Sequence, residues 1–101
     1  MEYAFEGAVI EWRGPAPFYY VPMPVQDAED LKEDAKGLEY WGQVAVTATI
    51  GTTTFTTALF PKDGTYLLPL KVVVRKAEEI DLDDVVAVRM RLGHDVGEAG
   101  I

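Results

Sequence analysis

A chain of 101 residues holds a single core, since two ordinary domains would need more residues. Hydrophobic residues make up 49% and charged residues 26%, the balance of a folded soluble protein, and the lack of cysteine excludes disulfides, thiolate metal sites and a cysteine nucleophile. Nine Lys and Arg against 17 Asp and Glu leave a net charge of −8, which repels polyanions and argues against a nucleic acid partner.

Residues 3–13 are rich in aromatic and β-branched types and read as one long strand. Phe5 and Val9 share a face, whereas Ala8, Ile10 and Trp12 fall on the other, so a bulge is expected at Gly7. Gly14-Pro15-Ala16-Pro17 forms a turn, because its prolines remove ladder donors. Residues 18–21 are then a short strand, stopped by Pro22 and Pro24. Residues 27–36 place Ala28, Leu31 and Ala35 at helical spacing; Asp27 is the expected N-cap, Lys36 lies in the last turn and Gly37 follows the end.

Residues 43–60 predict a hairpin turning at Gly51-Thr52, with glycine where a positive φ is needed. That register pairs Ile50 with Thr53, Ala48 with Phe55, Val46 with Thr57 and Val44 with Leu59 on a core face. Thr47, Thr49, Thr54 and Thr56 are expected outside, with Gln43 opposite Phe60 on the same outer side. Pro61-Lys62-Asp63-Gly64 reads as the next turn, with proline at its first corner, and Tyr66-Leu67-Leu68 as a strand. From Pro69 onward a second helix is expected, burying Leu70, Val73, Val74, Ala77 and Ile80. Asp81-Leu82-Asp83-Asp84 turns into a last strand, with Val86, Val88, Met90 and Leu92 inward and Arg89 and Arg91 outward. The whole reads as a mainly β domain over 3–92, a small closed or highly curved barrel of about six strands with two short helices. Residues 93–101 form a glycine-rich tail expected to fray.

Several segments together resemble the bacterial domain-of-unknown-function family nineteen-oh-five. The longest is Leu59-Phe60-Pro61-Lys62-Asp63-Gly64-Thr65-Tyr66-Leu67-Leu68-Pro69-Leu70-Lys71-Val72-Val73-Val74-Arg75. Phe5-Glu6-Gly7, the run from Glu11 to Phe18, Trp41-Gly42 and Ala77-Glu78 are similar to the same family in the same order. The resemblance covers about residues 3 to 92. It implies a small barrel with short helices, sometimes fused to a YdeI or OmpD-associated type domain that this chain is too short to contain, and it implies no known chemistry. Family members often carry Gly-Asp before the last strand, where this chain has Asp83-Asp84.

One cluster and one surface stand out as candidate sites. Lys62, Tyr66, Lys71 and Arg75 combine a phenol with three cations, and Lys71 and Arg75 lie four apart on one helix side, a pattern suited to a carboxylate or phosphate. Trp12, Tyr20 and Trp41 are the expected aromatic recognition surface. His94 is the only histidine, which excludes a His-pair metal site within the chain, and Asp81, Asp83 and Asp84 lack calcium-loop spacing, so no metal or cofactor is expected. No apolar run approaches the ~20 residues of a membrane span, and the amino terminus lacks a basic leader, so a cytoplasmic protein is expected. The first reading of function is a non-catalytic binding or interaction module, working with a protein partner or small anion as a monomer or homodimer. The alternative is a small-anion or metabolite-binding domain, open to catalysis, at Tyr66, Lys71 and Arg75.

Overall fold

The computed structural model describes residues 2–12, 18–39 and 42–93. Its elements run β1 (Glu2–Ala8), β2 (Ile10–Trp12), β3 (Phe18–Pro22), α1 (Val25–Asp34), β4 (Val44–Ile50), β5 (Thr53–Lys62), β6 (Thr65–Leu70), α2 (Val72–Ala77) and β7 (Val85–Leu92). The strands form one sheet in the order β1-β7-β4-β5-β6-β3-β2, and every neighbouring pair is antiparallel. The two outermost strands, β1 and β2, are consecutive in the chain with only Val9 between them. The sheet must therefore curl until its edges meet, which gives the highly curved, barrel-like architecture expected from the sequence. Counting β1 and β2 as one broken strand recovers the expected six.

The break falls at Val9 and not at Gly7, which corrects the expected bulge. Gly7 pairs with Val86 in regular register. Val9 donates its N–H to the Asp84 carbonyl at 2.9 Å and accepts from the Asp83 N–H at 3.0 Å, so the break is fixed by the turn ahead of β7. Alternation runs through it unchanged: Phe5 and Val9 are buried, and Ile10 and Trp12 are exposed. Gly7 serves another purpose. A Cβ there would stand 2.6 Å from the Pro22 carbonyl oxygen and 2.8 Å from Val21 Cγ1, so β1 lies directly against β3 with no space for a methyl group.

The β4–β5 hairpin has the expected register, from Val44 opposite Leu59 to Ile50 opposite Thr53, around a Gly51 with φ of +60°. Val44, Val46, Ala48, Ile50, Phe55 and Leu59 are all buried, and with Val21, Leu68, Leu70, Val74 and Val88 they fill the barrel. Thr47 departs from expectation. It sits at an outward position yet is only 2% exposed, because the chain leaving β7 crosses it: Thr47 Oγ1 donates to the Gly93 carbonyl at 2.8 Å and Gly93 N–H donates to the Ala45 carbonyl at 2.7 Å. Gly93 thus prolongs the β7 edge; the rest of the expected tail lies outside the described residues.

The helices cover opposite ends of the barrel. α1 begins two residues earlier than expected, with Pro24 at the N-cap and Asp27 inside the first turn, where the helix dipole favours an acid. Its Ala28, Leu31 and Ala35 are buried as their spacing predicts. Met23 N–H donates to the Tyr66 carbonyl at 2.9 Å and Thr65 Oγ1 to the Met23 carbonyl at 2.8 Å, which docks this helix at the start of β6. The turn there is shorter than expected. Pro61 and Lys62 belong to β5, and Asp63-Gly64 alone makes a two-residue hairpin with φ of +51° and +81°, the both-positive geometry that suits strand twist.

Beyond the other end of β6, the second helix is shorter and turned differently from the sequence reading. Pro69 and Leu70 are strand residues, Val72 and Val73 are about half exposed, Ala77 faces solvent, and only Val74 of the helix proper is fully buried. Pro69 is tolerated because β6 pairs with β5 only from Thr65 to Leu67, leaving no ladder on that side to break. The helix ends in a Schellman turn: Ile80 N–H donates to the Arg75 carbonyl at 2.9 Å and Glu79 N–H to the Lys76 carbonyl at 3.4 Å. Glu78 reaches back to the β4–β5 turn, where its carboxylate accepts the Thr53 hydroxyl at 2.5 Å and closes α2 over the hairpin.

Two measurements check this account. Gly7→Ala should lower stability by about 2–3 kcal/mol, read by urea unfolding, since a methyl at that contact must push two strands apart; an unchanged midpoint would mean the seam is loose. Glu79 holds φ of +52°, where a residue with a Cβ is strained and glycine is not. Glu79→Gly should therefore raise stability by about 0.5–1 kcal/mol, seen as a melting temperature about 2–6 °C higher.

Candidate functional site

Strand β6 separates the four residues of the expected anion cluster. Tyr66 stands at its start beside Pro61, and Lys62 pairs with Thr65 at the same end. Lys71 follows the far end as the N-cap of α2, with Arg75 in its last turn. Five steps at the rise of a strand place Lys71 roughly 16 Å from Tyr66. The expected meeting of the hairpin turn, Tyr66 and the second helix therefore does not form, because Leu70 continues the strand where a helix was read. At the far end the Arg75 guanidinium lies 4.0 Å from the centre of the Tyr19 ring, and its Nε is buried with no hydrogen-bond partner. The cleft beside it, about 320 Å³, is lined by Val72, Lys76, Glu79, Ile80 and Asp81, so its walls carry both signs of charge.

Tyr66 opens instead on a cleft of about 460 Å³ at the α1 end, with Glu29, Lys32, Glu39 and Lys62 around it. Its side chain is inward and largely buried, and burial, then the Glu39 carboxylate, raises the phenol above its ordinary pKa.

The expected aromatic surface fares differently. Trp12 and Tyr20 line one groove of about 320 Å³ together with Phe60, Pro61, Lys62, Asp63 and Leu67; Trp41 lies outside the described residues. Alternation puts Trp12, Tyr20, Phe60, Lys62 and Leu67 on the outer face of the sheet. Trp12 is 46% and Phe60 46% exposed, while Leu67, at an outward position of β6, is 4% exposed because the aromatic side chains cover it. Phe18 extends the wall, its ring 5.5 Å from that of Tyr20 and inclined at 41°. The Lys62 ammonium lies 4.1 Å from the centre of a Trp12 ring, a cation–π contact, and 3.7 Å from the Asp63 carboxylate. Reading for composition misses Phe60 and Leu67 as members of this surface. The hairpin register did place Phe60 outside, opposite Gln43, and that was the available signal.

Among the described residues no group of three or more His, Asp or Glu side chains is placed to hold a metal ion, and no helix is long and apolar enough to cross a membrane. The family model for a domain of unknown function, DUF1905, matches residues 5–90. The chain belongs to the DUF1905 family. No curated protein matches the sequence.

The DUF1905 domain also carries an acidic cleft of about 480 Å³ between β1 and α1, lined by Glu2, Tyr3, Asp27, Asp30, Glu33 and Asp34. The Tyr3 hydroxyl donates to the Asp34 carboxylate across it, fastening the start of the barrel to the last turn of α1. Burial first, and then that carboxylate, pushes the Tyr3 phenol well above its usual range. A raised phenol keeps its proton in the folded state after the unfolded chain has lost its own. The stabilisation is thus complete below pH ~10 and declines as the pH rises past that value towards the folded pKa. Tyr3→Phe should cost about 1 kcal/mol at neutral pH and flatten the alkaline loss of stability, measured by urea unfolding between pH 7 and 11.

Proposed function

We propose that this DUF1905 domain is a non-catalytic binding module of the bacterial cytoplasm, and that its recognition surface is the aromatic groove on the outer face of β2, β3, β5 and β6. One observation carries the reading: Trp12 and Phe60, each 46% exposed, line one groove with a covered Leu67, and the exposed Phe18 stacks beside the Tyr20 of that groove. A sheet face turned to water ordinarily carries polar residues, as the threonine face of β4 and β5 does, and burying three or four aromatic rings against a partner recovers the free energy that their exposure forgoes. The groove's charged groups, Lys62 and Asp63, neutralise each other. That suits orienting a ligand better than moving protons.

The second reading, a small-anion or metabolite site, draws support from the buried Arg75 Nε. It is weaker because Glu79 and Asp81 line the same cleft and would oppose an anion. Tyr66 would contribute nothing to it from the other end of β6.

A chemically mixed fragment library, screened by NMR on the isotope-labelled domain, separates the two. The expected hits perturb the Trp12 indole N–H and the Leu67 methyl groups, with the Trp12 signal assigned through Trp12→Phe. Hits confined to Arg75 and its neighbours would transfer the site to the α2 end, and a library without hits at either place would overturn the binding-module reading.

A further inference from the structure

The aromatic groove already contains a cation of the protein's own. Lys62 occupies an outward strand position at the end of β5, from which a solvated lysine would extend into water. Its ammonium lies instead 4.1 Å from the centre of a Trp12 ring, inside the distance at which a ring face attracts positive charge. Asp63 does not account for this placement: the pair is 3.7 Å apart, the Asp63 side chain is 85% exposed, and an ion pair so solvated contributes little. The ring face is the stronger determinant of where the ammonium rests.

We propose that the groove binds an organic cation of the methylated or quaternary ammonium class, and that Lys62 holds its place in the free domain as an internal mimic. The proposal rests on the binding-module reading and names its ligand. Trp12, Tyr20 and Phe60 supply the walls and Leu67 the floor, so the groove offers π faces and apolar contact, with Asp63 the one carboxylate among its described lining residues. A methylated ammonium is weakly hydrated and matches such walls. A phosphate or carboxylate is disfavoured by the negative ring faces, by Asp63 and by the net charge of −8. The volume of about 320 Å³ accepts a trimethylammonium head with a short tether, at the small end of ligand sites. When the ligand enters, its cation takes the Trp12 ring face and Lys62, at the end of β5, turns out into water.

The test is a titration of the whole domain with choline and with its neutral carbon isostere 3,3-dimethylbutan-1-ol, followed by NMR and calorimetry. Wild type should bind choline weakly, with shifts at Trp12, Tyr20 and Phe60, and Lys62→Ala should bind it several-fold more tightly because the internal competitor is gone. The isostere should bind at least about tenfold more weakly than choline. Trp12→Leu, which keeps apolar volume and loses the π face, should abolish choline binding; should that variant misfold, Trp12→Tyr should bind with an affinity between wild type and none. Equal binding of choline and the isostere by Lys62→Ala would overturn the cation proposal and leave a purely apolar binding groove. Choline binding unaffected by the Trp12 variants, or absent from a folded Lys62→Ala, would also overturn it, while fragment hits on the groove would still stand for the broader reading.

Discussion

At Gly7 the backbone of β1 comes so close to β3 that a methyl group would stand 2.6 Å from the Pro22 carbonyl oxygen, and the rest of the barrel depends on that contact. The sheet has β1 at one edge and β2 at the other, yet the two are a single stretch of chain interrupted only at Val9. Such a sheet exists only if it curls through its full width, and the curl brings β1 onto β3 just before the chain changes partners. Glycine allows the two backbones to meet without a side chain between them. β1 keeps a ladder only with β7 and β2 only with β3, so the close approach at Gly7, not a further ladder, joins the two ends of the sheet.

The two ends of the barrel are stopped by different physics. α1 closes its end by burial, with Ala28, Leu31 and Ala35 inserted beneath it and the Tyr3 hydroxyl fastened to Asp34. α2 is too short to bury much, since Val74 alone of its residues is fully enclosed. A polar connection supplements it: the Glu78 carboxylate sits against the Gly51 turn and takes the Thr53 hydroxyl. A side chain at Gly51 would displace this carboxylate, since a Cβ would lie 2.0 Å from Glu78 Oε1, and it would also be strained by the positive φ of +60°.

With the ends closed and the interior filled by side chains, a barrel this small has no room for a ligand inside. Its outer faces differ in chemistry. β4 and β5 present threonines, with Thr49 and Thr54 hydroxyls 2.9 Å apart across the hairpin. β2 and β3 present aromatic rings, with Leu67 of β6 beneath them. The division follows the strand order, since β5 lies between the two regions and carries Thr54 and Thr56 at one end and Phe60 and Lys62 at the other.

Local signals made part of this molecule legible from residues alone. Gly51-Thr52 determined the hairpin and, through a side-chain period of two, every facing pair from Val44–Leu59 to Ile50–Thr53. The spacing of Ala28, Leu31 and Ala35 determined which side of α1 is buried, and Asp83 in place of glycine marked a turn that the structure makes with φ of +71°. What remained undecided depends on contacts distant in sequence. Whether Leu70 ends a strand or starts a helix was settled by its pairing with Tyr19, because the valines after it suit either conformation. Thr47 is buried only because Gly93 crosses it, 46 residues away. The same holds for the site: the chain sequence contains Trp12, Tyr20, Phe60 and Lys62, but the fold alone brings them to one groove and parts Tyr66 from Arg75 by the length of β6. Local residue patterns specify turns and faces, since those obey short-range sterics and a fixed periodicity, whereas a groove is the meeting of strands whose neighbours only the curled sheet defines.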